Sequence, residues 1–66
     1  MMTIKYKKGL RCEIADNVVL QIRKFNFKYV ACVLDKNTLV MTTSKEYSKL
    51  ENLNYFLKDY DVEIVR

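Results

Sequence analysis

Residues 16–27 read Asp16-Asn17-Val18-Val19-Leu20-Gln21-Ile22-Arg23-Lys24-Phe25-Asn26-Phe27, and the fold turns on whether they coil or run straight. Val18 to Ile22 has strong strand propensity, and Asp16-Asn17 would serve as a hairpin turn ahead of it. Yet Asp16 is also a good N-cap, and Val18, Ile22 and Phe25 fall at i, i+4 and i+7. Arg23 and Lys24 would then sit in the last turn, where cations complement the helix dipole. Asn26 suits the left-handed position that ends a helix, with Phe27 as the apolar residue after it. Start, stripe, charges and stop agree, so these signals predict a short helix over residues 17–25.

Downstream, Phe27–Leu34 and Thr38–Thr43 are runs rich in β-branched and aromatic residues on either side of Asp35-Lys36-Asn37. That is the pattern of an antiparallel hairpin, with Asn37 expected in the left-handed position of the loop. Thr43-Ser44-Lys45-Glu46 has the form of a capping box. It predicts a helix with Tyr47, Leu50, Leu53, Leu57 and Tyr60 on one stripe, ending at Asp59-Tyr60-Asp61. Val62 to Arg66 reads as a last strand with Val62 and Ile64 inward. Upstream, Thr3–Lys7 alternates, Gly9 turns the chain, and Leu10, Cys12 and Ile14 face one way against Arg11 and Glu13.

Strand-helix-strand thus occurs twice. The expected fold is a single α+β domain over residues 1–66, a ferredoxin-like βαββαβ arrangement with an extra N-terminal strand. Both helices would cover one face of a small antiparallel sheet. If residues 18–23 are instead a strand, the alternative is an SH3-like or other β-barrel with one C-terminal helix.

A sheet roofed on one side leaves the other side bare. Phe27, Tyr29, Ala31 and Val33 point one way along their strand while Val30, Cys32 and Leu34 point the other, and a strand apolar on both faces is normally buried on both. Val30, Cys32, Leu34, Val40 and Val65 are therefore the candidate protein-interaction face, to be covered by a partner protein or by a second copy in a homo-oligomer. At 66 residues the chain has little core to spare, and such a cover would add to its stability.

The composition excludes most chemistry. With no histidine there is no Ser-His-Asp or Cys-His site and no imidazole ligand, and one glycine cannot build a phosphate-binding loop. Copper chaperones of ferredoxin-like fold bind through Cys-x-x-Cys, which Cys12 lacks. No stretch carries the aromatic and glycine signature of an RNA-recognition motif. The carboxylates are scattered as caps, turns and surface. No enzyme activity, cofactor or metal is expected. Cys12 and Cys32 are expected as free thiols of a cytoplasmic protein, with Cys32 packed in the core. No apolar run reaches the length of a membrane span.

The formal net charge is +4. Lys5, Lys7, Lys8 and Arg11, with Arg23, Lys24 and Lys28, form the candidate basic patch. Two functions follow. The first is a small non-enzymatic protein-binding module, specifically an inhibitor or regulator encoded by a phage or mobile element that occludes a surface of a host protein. The lysine- and asparagine-rich composition of a low-GC genome fits such a source. The second is a small basic nucleic-acid-binding protein, with Tyr6 or Tyr29 stacking on bases.

Overall fold

In the computed structural model, which describes all 66 residues, residues 17–25 are extended apart from the turn at Asn17. The strands are β1 (Met2–Lys5), β2 (Arg11–Ala15), β3 (Val18–Phe25), β4 (Lys28–Asp35), β5 (Met41–Tyr47) and β6 (Val62–Val65). The only helical stretch joins a 3-10 turn at Leu50–Asn52, α1 at Leu53–Leu57 and a second 3-10 turn at Lys58–Tyr60. Strand makes up 55% of the chain against 11 helical residues, which overturns the ferredoxin-like arrangement of two helices on a sheet. Strands β2, β3, β4 and β5 form an antiparallel sheet in that order, while β1 pairs in parallel with β6 as a separate ribbon. The barrel alternative shares the strand over residues 18–23 and the single C-terminal helix, but its strands divide between two sheets and no barrel closes.

The helical reading of residues 17–25 failed on an ambiguity of period. Residues four apart share a face in a helix and in a strand alike, so Val18 and Ile22 could not separate the two. Phe25 could, and it is 68% exposed. Leu20 and Ile22 are wholly buried on one face of β3, and Val19 is buried although it alternates with them. That is the burial of a central strand, here hydrogen-bonded to β2 on one side and β4 on the other. Asn26 and Phe27 do not stop a helix. They are the two loop residues of the β3–β4 hairpin, with Phe25 opposite Lys28. Their φ angles are 49° and 66°, the double left-handed pattern of a type I′ turn. Asparagine tolerates that region, whereas a bulky L-residue such as Phe27 pays about 1–2 kcal/mol there.

The capping box does not cap. Thr43, Ser44, Lys45 and Glu46 pair within β5 opposite Val33, Cys32, Ala31 and Val30. The strand expected at residues 38–43 therefore lies at 41–47, and the helical stretch begins at Leu50 with no side-chain bond at its start. The backbone groups along β4 need partners, and a seven-residue ladder outweighs a capping bond worth about 1 kcal/mol. Leu39, at φ 61°, takes the left-handed position expected of Asn37. Asp35 Oδ1 accepts from the backbone N–H groups of Asn37 (2.8 Å) and Thr38 (3.1 Å), which sets the first half of that loop.

The leucine stripe itself survives. Leu50, Leu53 and Leu57 are buried and join Leu10, Ile14, Leu20, Ile22 and Ala31 from the sheet and Val62 and Ile64 from β6 in one core. The helical stretch and the β1–β6 ribbon thus lie together on one face of the four-stranded sheet. Gly9, at φ 76°, lies in the turn where the chain passes from ribbon to sheet. Asn54 holds helix and ribbon together: its Oδ1 accepts from Ile64 N–H at 2.8 Å and its Nδ2 donates to Ile64 O at 3.1 Å.

Two stability predictions follow from this packing. A chain of this length holds roughly 3–10 kcal/mol in total. Leu53→Ala removes a fully buried side chain and should cost about 2–5 kcal/mol, read as a lower urea midpoint with an unchanged slope. Asn54→Ala leaves both backbone groups of Ile64 without this partner and should cost about 1–3 kcal/mol. Amide exchange should accelerate first along β6.

Candidate protein-docking face

The opposite face of the four-stranded sheet carries no layer. Pairing places Val19, Gln21, Arg23 and Phe25 of β3 beside Leu34, Cys32, Val30 and Lys28 of β4. From β5, Met41, Ser44 and Glu46 stand opposite Leu34, Cys32 and Val30. The floor is aliphatic, with Val30, Cys32 and Leu34 half-buried. Leu39, Val40 and Met41 are exposed where the β4–β5 loop enters β5.

These side chains form a trough. A hollow of about 560 Å³ runs from Met41 and Ser44 across Val30 and Cys32 to Phe25 and the Lys8–Gly9 turn. A second, of about 360 Å³, continues over Leu34 and Leu39 to Arg11. The two share Gln21, Arg23, Cys32 and Met41.

The trough's charge has one sign. Glu13 is paired with Lys36 at 2.9 Å, and Glu46 with Lys28 at 3.4 Å. Arg11, Arg23 and Lys8 take part in none of the four ion pairs of the molecule. Exposed pairs of this kind contribute little to stability, about 0–1 kcal/mol. Their effect here is to neutralise the acids of this face and leave its cations unmatched.

Of the residues expected to form an interaction face, Val30, Cys32 and Leu34 come together on the floor and Val40 lies exposed in the adjoining loop. Val65 does not join them. It sits on β6, within the ribbon that packs against the other face of the sheet. The expected basic patch divides as well. Lys8, Arg11, Arg23 and Lys24 border the trough, Lys28 is held by Glu46, and Lys5 lies in β1. Tyr6 and Tyr29, expected to stack on bases, pack edge-to-face on each other at 5.7 Å and against the core. Lys24 Nζ lies 5.4 Å from the Tyr29 ring centre. Phe25, Leu39 and Met41 were missed by the sequence reading. The alternation Val19, Gln21, Arg23, Phe25 was the signal that could have found the first of them.

Cys32, expected as a core hydrophobe, lies on the trough floor, while Cys12 packs against the core on the opposite face of the sheet with Leu10 and Ile14; both are unbridged. The cysteines and carboxylates nowhere gather as three or more ligands able to hold a metal, and no helix is long and apolar enough to cross a membrane. Comparison with protein-family models, with curated proteins and with solved structures gave no match.

Burial pushes the Cys12 thiol above its ordinary value of 9.0. The neutral thiol suits the folded environment, so its contribution to stability is intact below that value and fades as the pH climbs through the raised folded one. In a Cys32→Ser variant, alkylation of Cys12 by iodoacetamide should therefore show a midpoint above pH 9 when folded. In urea the midpoint should fall back to the ordinary range. An unchanged midpoint would mean that the thiol is solvated.

Proposed function

We propose that this chain is a small non-enzymatic protein-binding module, acting in the cytoplasm by laying the open face of its sheet on a partner and occluding the surface beneath. The observation that carries this reading is the aliphatic trough with unmatched Arg11 and Arg23 on the one uncovered face. The molecule measures 30 × 26 × 18 Å, and its broad face matches the roughly 800 Å² that one partner brings to a standard interface. A partner with an acidic rim around an apolar protrusion fits the trough by charge and shape. A second copy fits poorly, because it would set Arg23 and Arg11 against cations of the same kind.

An inhibitor or regulator encoded by a phage or mobile element is the specific form this function takes. The supporting features are the small size, the absence of histidine and the lysine-rich, glycine-poor composition. Two free cysteines fit a reducing compartment.

A photo-reactive amino acid placed at Leu34 should cross-link one protein from host extract, and the same group at Tyr55, on the helix, should not. Leu34→Glu should weaken the purified complex at least tenfold while leaving the circular dichroism spectrum unchanged. The free chain should elute as a 7.9 kDa monomer. A dimer of twice that mass, abolished by Leu34→Glu, would assign the face to a second copy instead. Steeply salt-dependent binding of DNA or RNA without any protein partner would replace the proposal with nucleic-acid binding.

A further inference from the structure

We infer that Phe27, at the tip of the β3–β4 hairpin, is the anchor with which this face grips an acidic protein partner, its ring entering an apolar pocket of that partner. The inference rests on the reading of the sheet face as a protein-docking surface and adds where the grip is centred.

Phe27 is conspicuous for what it lacks. It occupies the second position of a two-residue turn, at φ 66°, where glycine is the residue the geometry favours. Phe27 is 89% exposed, so no burial of its ring in the free chain offsets the backbone strain. Strained residues of this kind concentrate where a binding surface needs a particular side chain. Phe25, two residues earlier, is 68% exposed and borders the trough. The tip therefore presents one ring over the trough and one beyond it. Arg23 and Lys24 precede both in sequence, and aromatic and arginine side chains are those most often found at the energetic centre of an interface.

The surroundings select the occupant. Phe27 borders a shallow hollow of about 340 Å³ that also holds Lys24, Lys49 and Arg66. Its one acid, Glu51, is paired with Arg66 at 3.7 Å. Lys24 and Lys49 are the unpaired cations of this hollow. A protruding aromatic beside a concave trough requires a partner with a pocket and a projection, which a folded protein provides and a flat bilayer does not. The trough floor is aliphatic and Tyr6 and Tyr29 meet at 85° against the core, so neither offers a platform for base stacking.

The test uses the full chain carrying a photo-reactive phenylalanine analogue at position 27. The protein it cross-links is identified, purified and titrated with four forms: wild type, Phe27→Gly, Phe27→Leu and Leu34→Glu. Phe27→Gly should raise the thermal midpoint by about 4–8 °C, since it relieves the turn, while weakening the complex at least tenfold. Phe27→Leu should recover part of the affinity, and the cross-linked surface should be acidic. A lower midpoint in Phe27→Gly would show that the ring serves the fold, and binding within twofold of wild type would show that it is not the anchor. Either overturns the inference, and so does a cross-link at position 34 with none at position 27. If Leu34→Glu still abolishes binding in those cases, the docking face stands without its anchor. If neither variant affects binding, both readings fall. Phe27-dependent binding of a 20-nucleotide single-stranded DNA or of phosphatidylglycerol vesicles, with no protein complex formed, also overturns it.

Discussion

The structure depends on β3 being paired along both of its edges. Leu20 and Ile22 project from it into the core and are wholly buried, while its backbone joins β2 to β4. Only β4 does the same, paired with β3 and β5 and burying Ala31 and Val33. A central strand loses little by being apolar on two faces, because one face meets the helix and ribbon and the other forms the trough floor. The same arrangement explains why the sheet presents one finished face and one unfinished one: the helical stretch and the β1–β6 ribbon are all the covering material the chain has.

From that constraint comes the character of the open face. Alternation along β2, β3 and β4 places aliphatic side chains at its centre, with Arg11 of β2 and Arg23 of β3 beside them. The acids that share the face are neutralised locally, Glu13 by Lys36 and Glu46 by Lys28. A surface apolar in the middle and positive at the margin combines non-directional burial with charge steering. The aliphatic floor, Arg11, Arg23 and Phe25 converge on one side of the molecule, while the opposite side is filled by leucines.

Parts of this were legible in the residues. The alternation of Leu10, Cys12 and Ile14 against Arg11 and Glu13, the inward Val62 and Ile64, and the two-sided apolar character of residues 29–34 all correspond to the observed faces. The stripe Leu50, Leu53, Leu57 marked a helical segment correctly, although its start lies later than the capping box suggested. Val30, Cys32 and Leu34 were placed on one face by period alone, before any neighbour was known. Their surroundings were not legible, because the registers that bring Phe25 and Met41 beside them depend on where the β3–β4 and β4–β5 turns fall.

The sequence by itself determined which side chains are apolar, which of them share a face in an extended strand, and that no imidazole or glycine-rich chemistry is present. Only the tertiary structure decided that residues 18–25 are strand and that residues 43–46 pair instead of capping a helix. The physical reason is the same in both places. An interval of four residues and a Thr-x-x-Glu box are local signals worth about a kilocalorie, whereas an unpaired β4 would leave a row of backbone donors and acceptors without partners. Long-range hydrogen bonding overrode local preference, and in doing so it placed the aliphatic trough on the uncovered face of the sheet.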